Sequence, residues 1–154
     1  MKKYIFITAI VLLFTTCENK NECEKIDTSP IISSQQATLE NTMWKLAGFV
    51  DMEEGCLKRA EPNDEGCYHL NFDTDSTLTG VAASNQLMGR CEIDYATCEI
   101  HIAIGNVTCI NELFDGNRYI ADLNKIQSFS VKGDELRLYY NNKKNYLLYK
   151  TRQS

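Results

Sequence analysis

The chain has 154 residues, 44% hydrophobic and 24% charged, with 8 Gly and 2 Pro. That composition excludes collagen-like and low-complexity chains and suits one folded domain. Sixteen basic residues face 21 acidic ones, a formal net charge of −5, and without a basic run no nucleic-acid partner is expected.

Lys2 and Lys3 precede an apolar run from Tyr4 to Phe14, which reads as a secretory signal over residues 1–16. A membrane-spanning helix needs roughly 18 or more apolar residues, so this run is too short to span. It ends in Leu13-Phe14-Thr15-Thr16-Cys17. A cysteine placed there resembles the lipobox of a Bacteroidetes-type lipoprotein, in which the thiol is acylated and becomes the first mature residue. Plain secretion with cleavage elsewhere is the alternative. Lipidation at Cys17 implies export and membrane anchoring, with the outer membrane as the expected address. Removing residues 1–16 takes away two lysines and no acids, leaving 14 basic against 21 acidic residues. Charge of that sign repels anionic headgroups, so acyl chains would have to hold the protein to the membrane.

Residues 17–38 are polar, with Pro30 and a Ser/Gln stretch. They lack the apolar density of a core and read as a lipidated flexible tether. Extended, a segment of this length reaches roughly 70 Å.

Seven cysteines are present: Cys17, Cys23, Cys56, Cys67, Cys91, Cys98 and Cys109. With Cys17 lipidated six remain, and an even number in an exported chain points to disulfides. Cys56, Cys67, Cys91, Cys98 and Cys109 are the candidates, and six cysteines leave fifteen possible connectivities. A Cys56–Cys67 bond would close a polar loop containing Pro62, Asp64 and Gly66. Cys23, in the tether, is expected to be free or intermolecular. No CxxC pair occurs, and the spacings do not suit a zinc ribbon. No metal or other cofactor is expected.

From residue 39 to 150 the chain reads as a mainly β domain, followed by a tail of residues 151–154. Thr42 to Val50 contains Trp44, Leu46, Ala47 and Phe49 and predicts a first strand. Tyr68, Leu70 and Phe72 alternate with His69 and Asn71, the period of a half-buried strand. Asp73-Thr74-Asp75-Ser76 supplies turn chemistry before a return strand over Thr77 to Ala82. Ala82 to Met88 is expected to be irregular, and Gly89 to Tyr95 to be a strand. Ile100, Ile102 and Ile104 alternate with polar neighbours in another. Residues 110–124 place Ile110, Leu113, Phe114, Asn117, Ile120 and Ala121 near one helical face, with Gly116 costing about 1 kcal/mol relative to Ala. Three strands follow, over Ile126 to Lys132, Leu136 to Tyr140 and Tyr146 to Lys150. About eight strands joined by short turns, with one helix before the last three, predict an antiparallel meander or barrel-like α+β sheet.

The order Trp44-Lys45-Leu46, Tyr68-His69-Leu70-Asn71-Phe72, Gly80 to Asn85, Gly89 to Ile93, a helix with Glu112, Phe114 and Leu123, and Phe129 to Leu138 resembles the META domain family, also called HslJ-like. The resemblance spans about residues 39–150. Ala83-Ser84 stands where the family has Gly-Cys before Asn85, and Cys91 takes an aromatic place. The family has no established catalytic residues, so the resemblance carries over no active site and implies an exported bacterial protein.

Asp73 to Thr77 resembles the start of a calcium loop, but Leu78 and Ser84 stand where such a loop needs Gly and Glu. His69 and His101, on the polar sides of their strands, would act as acid or base only beside a carboxylate such as Glu99. Tyr139, Tyr140, Tyr146 and Tyr149 lie with Lys143, Lys144 and Lys150 on the last hairpin. They form a possible ligand surface, with β-propensity and burial as the plainer reading. Leu87-Met88 reads either as a partner contact or as a core plug. The expectation is a lipid-anchored cell-envelope protein with a non-enzymatic binding or structural domain and an envelope protein partner. A small-ligand carrier with a pocket between sheet and helix is the alternative.

Overall fold

The computed structural model describes residues 23–28, 38–108 and 110–152. The signal over residues 1–16 and the lipidation candidate Cys17 lie outside the described residues. In chain order the elements are β1 (Glu24–Lys25), β2 (Met43–Asp51), β3 (Cys56–Lys58), β4 (His69–Phe72), β5 (Thr77–Val81), β6 (Gln86–Asp94) and β7 (Glu99–Val107). After these come α1 (Gly116–Leu123), β8 (Ser128–Lys132), β9 (Glu135–Tyr140) and β10 (Asn145–Thr151). All paired strands are antiparallel, in the order β1-β3-β2-β10-β9-β8-β7-β6-β5-β4. A further β2–β4 pairing closes the eight strands β2 and β4 to β10 into a barrel. The expected mainly β architecture, with one helix before three final strands, is the one observed.

Closure needs bends, and two register shifts supply them. One falls between Leu148 and Tyr149 opposite β2, leaving Ala47 without a ladder partner. The other falls between Met88 and Gly89 opposite β7 and skips Gly105. An extra residue on one strand sharpens its twist and bend, which lets a short meander curl onto itself. The shift in β2 also rephases its side chains. Trp44, Leu46 and Phe49 face the interior, while Val50 joins a second cluster with Leu57, Tyr146 and Leu148.

The interior is filled with side chains. Trp44, Tyr68, Phe72, Leu78, Ile100, Tyr119, Leu123 and Tyr149 are all buried within one continuous core. Trp44 Nε1 donates to the Leu39 carbonyl at 3.1 Å, so the indole is buried with its donor satisfied.

β7 and β8 meet through one register pair, Glu99 with Ser128, and α1 packs beside β7. Asn124, at the helix C-cap, accepts from the Ile104 amide at 3.0 Å and donates to the Ile120 carbonyl at 3.0 Å. A helix terminus thereby satisfies a strand N–H beyond the short β7–β8 ladder. The helix is shorter than expected. Ile110, Leu113 and Phe114 precede it and are exposed, while Gly116 opens it. A β-carbon on Gly116 would collide with the Glu112 side chain, so close approach explains a glycine that helix propensity disfavours.

Two other expectations change. Part of the segment read as a tether is bound to the fold, because Glu24 and Lys25 pair with Leu57 and Cys56. Gln86 to Met88 belong to β6 rather than to an irregular segment. Leu87 points inward at 3% exposure while Met88 is 54% exposed, so strand alternation splits that pair between core and surface.

Candidate functional site

Three loops meet at one end of the barrel, and buried polar side chains knit them together. Asn85 is 1% exposed. Its amide donates to the Ile110 carbonyl at 2.9 Å and to the Glu112 carboxylate. Its carbonyl oxygen accepts from Thr108 Oγ1 at 2.8 Å and from the Ile110 amide at 3.3 Å. Glu112 Oε1 accepts from the Ser84 amide at 2.6 Å. One asparagine thus holds both faces of the segment leading into α1. Burying so many polar groups is tolerable because each finds a partner.

Lys45 performs the same task for the loop before β4. Its ammonium donates to the carbonyls of Asp64 at 2.5 Å and Cys67 at 2.6 Å. Burial pushes this lysine below its ordinary pKa, against the nearby Cys67, Glu65 and Asp64. Asp115 accepts from Lys58 Nζ and from the Glu61 amide, both at 3.1 Å, and the Tyr68 hydroxyl donates to the Glu61 carbonyl. Above this network stand Ile110, Leu113 and Phe114, at 59%, 54% and 69% exposure. Phe114 has φ of +50°, a left-handed conformation that bulky residues rarely adopt.

The groups singled out in the sequence do not converge. His69 lies in a row through Val81 to Gln86, whereas His101 faces Glu92. Six residues along β6 separate those rows by about 20 Å, too far for acid–base partnership. His69 is 7% exposed rather than on the open surface. Burial holds it below its ordinary pKa, reinforced by Lys45 and Arg152 and opposed by Glu65.

The four tyrosines do not form one ligand surface. Tyr140 and Tyr149 face the barrel interior, where their hydroxyls donate to Asp122 and Tyr119, each at 3.0 Å. Tyr146 is fully buried in the outer cluster with the Arg137 guanidinium 5.1 Å from its ring. Tyr139 alone of the four is half-exposed. Pairing strands on both sides and apolar cover on both faces explain why consecutive residues of β10 are buried. Around Tyr146 runs an outer groove of about 710 Å³ lined by opposed charges, including Arg59, Glu135, Arg137 and Lys150. Glu135 joins Arg137 and Lys150 at 2.7 and 2.9 Å.

Cys56 is bonded not to Cys67 but to Cys23, with their Cα atoms 5.4 Å apart. The pairing of β1 with β3 brings Cys23 beside Cys56, which corrects the expectation that Cys23 is free. Cys67, Cys91 and Cys98 are free thiols in the structure, and Cys109 lies outside the described residues. Burial pushes the Cys91 thiol up to about 11. Among the described residues no three His, Cys, Asp or Glu side chains group to hold a metal ion. No helix among them is long and apolar enough to cross a membrane.

Sequence reasoning did not single out the Asn85–Glu112 contact or the role of Lys45. The available signal was an asparagine in a strand-flanking loop and a glutamate four residues before Gly116. Neither spacing reveals a contact across 27 residues.

The sequence model of the META domain matches residues 23–153. The chain belongs to the META domain family. The matched region begins at Cys23 and so takes in β1 as well as the barrel of this chain. This META domain protein is 29% identical over 157 residues to a Tannerella forsythia protein named as a candidate lipoprotein. That match covers 97% of this chain and 95% of the relative. A crystal structure of a DUF4847 family protein from Bacteroides vulgatus shares the fold at a TM-score of 0.58 and 17% identity. It covers 75% of this chain and 96% of that one.

Proposed function

We propose that this META domain protein is an outer-membrane lipoprotein, anchored through Cys17, whose barrel is a non-enzymatic module for contact with another envelope protein. The observation that carries the contact reading is the loop over residues 110–114. Three large apolar side chains stand exposed there, one in a strained backbone conformation, above a buried polar network that fixes the loop. Rigid support beneath exposed apolar groups suits recognition. The network's polar groups are occupied in holding loops, which argues against a catalytic role. The barrel interior is filled, which disfavours a carrier that encloses its ligand.

Anchoring is supported by the lipobox-like run and by the relative's coverage. A match over 97% of the chain leaves about five residues unmatched, so the aligned region takes in the Cys17 segment.

Intact mass of protein extracted from membranes tests the anchor. A start at Cys17 with added acyl mass is expected, and an unlipidated mass overturns it. A photo-crosslinking residue at Phe114, with Lys132 as control, tests the contact. Crosslinks to an envelope protein at 114 but not at 132 are expected. Equal yields at both positions, or none at either, overturn the reading.

A further inference from the structure

We propose that the outer face of β4, β5 and β6 carries a binding groove for an uncharged, hydroxyl-rich ligand, a saccharide unit being the class that fits. The groove has a volume of about 440 Å³, within the range of small-molecule sites. Strand register builds it. Leu70, Phe72, Leu78 and Leu87 face the core, so alternation turns their neighbours outward. One outer row runs Met43, Asn71, Thr79 and Met88 across β2, β4, β5 and β6. The next row contains His69, Val81 and Gln86. Four strands at the usual spacing give a platform about 14 Å wide.

His69 supplies an unmatched hydrogen-bonding group. The residue is buried, and its Nε2 has no hydrogen-bond partner among the described residues. Such a group is costly to leave unpaired, and few remain so in folded proteins. The same groove is lined by Asn71, Thr79, Gln86 and Thr108, two amides and two hydroxyls that both donate and accept. A ligand hydroxyl also does both, and so can meet Nε2 in either ring tautomer.

The walls disfavour other classes of ligand. Among the described residues no Asp, Glu, Lys or Arg lines this groove, whereas eight of the thirteen residues around the Tyr146 groove are charged. Lys45, beside His69 in the register, turns its ammonium to the Asp64 and Cys67 carbonyls. Arg152 lies against the Met43 sulfur at 3.8 Å. An ionic ligand therefore meets no countercharge inside the groove, and a purely apolar one leaves its polar groups unmatched. Met43 and Met88 stand exposed in the outer row. Their flexible thioethers can lie against the C–H faces of a sugar ring.

The test is NMR of the full-length protein carrying ¹³C-methyl methionine, in a detergent without a sugar headgroup. Maltose and N,N′-diacetylchitobiose are the neutral probes and glucuronate is the charged one. At least one neutral disaccharide should shift the Met43 and Met88 methyl signals saturably while Met52 stays in place, and glucuronate should bind more weakly. Thr79→Leu, which fills the groove from an outward position, should abolish the shifts. His69→Leu should weaken binding about tenfold, the scale of one lost hydrogen bond. Absence of paired shifts with both disaccharides overturns the site. Glucuronate binding as tightly as the neutral sugars, or His69→Leu binding like the wild type, overturns the chemistry assigned to it. If Met52 moves in Thr79→Leu, that variant is misfolded and His69→Leu decides.

Discussion

Strands β2 and β10 carry two apolar clusters on opposite faces, and the two are built differently. The inner cluster contains Trp44, Leu46, Leu147 and Tyr149 and is enclosed by all eight barrel strands. The outer one contains Val50, Leu57, Tyr146 and Leu148, with Ile26 and Met52 packed on it. Its cover is β1 and β3: one disulfide and a two-residue ladder join β1 to β3, and only three register pairs join β3 to β2. Enclosure by many mutually supporting strands makes the first a cooperative core. A short two-strand flap, cross-linked within itself and joined to the barrel by a short ladder, makes the second a candidate for local opening.

The comparison is tested most strongly inside the barrel. Trp44→Ala removes a fully enclosed indole and should cost about 3–5 kcal/mol, read as a lower denaturant midpoint. Leu148→Ala, at the outer cluster, should cost about 2 kcal/mol, the low end for such truncations. Equal losses would show that the two clusters unfold as one unit.

Removing the disulfide as C23S with C56S comes next. The sequence separation is 33 residues, and loss of a bond of this kind typically costs about 2–4 kcal/mol. Hydrogen exchange should rise first in β1 and β3 while β4 to β7 stay protected. Uniform deprotection would remove the distinction between flap and barrel.

Asn85→Ala deletes the side chain that holds Thr108 and Ile110 and should cost about 1–3 kcal/mol from unsatisfied buried partners. Limited proteolysis should then cut within residues 108–115 before any barrel strand. Cleavage at the wild-type rate would mean that the loop is held by other contacts.

The smallest expected effect is a pH dependence from His69. Lys45, Arg152 and Glu65 face this buried imidazole, whose folded pKa is depressed, chiefly by burial. Stability from this group is therefore present above its unfolded value of about 6.5 and lost as pH falls through the folded value. Denaturant midpoints measured across that window should fall less steeply for His69→Gln than for the wild type. Parallel slopes would remove His69 as a source of the dependence.

The amino-acid sequence by itself determined the fold class, most strand positions and the helix before the last three strands. Alternation in Leu70 and Phe72 and in Ile100 and Ile102 reports burial on one face, a local property that a chain carries in its own order. It also displayed the family pattern, because turn residues and strand periods recur at fixed spacing. Only the tertiary structure decided that Ala47 is skipped in the ladder, which turns Phe49 inward and Val50 outward. Strand pairing likewise brought Cys23 to Cys56, buried Tyr146 and Tyr149 on opposite faces, and placed Asn85 against Thr108, Ile110 and Glu112. Each depends on which distant segment lies alongside, and closing a barrel sets that choice through register and bend rather than through the properties of neighbouring residues.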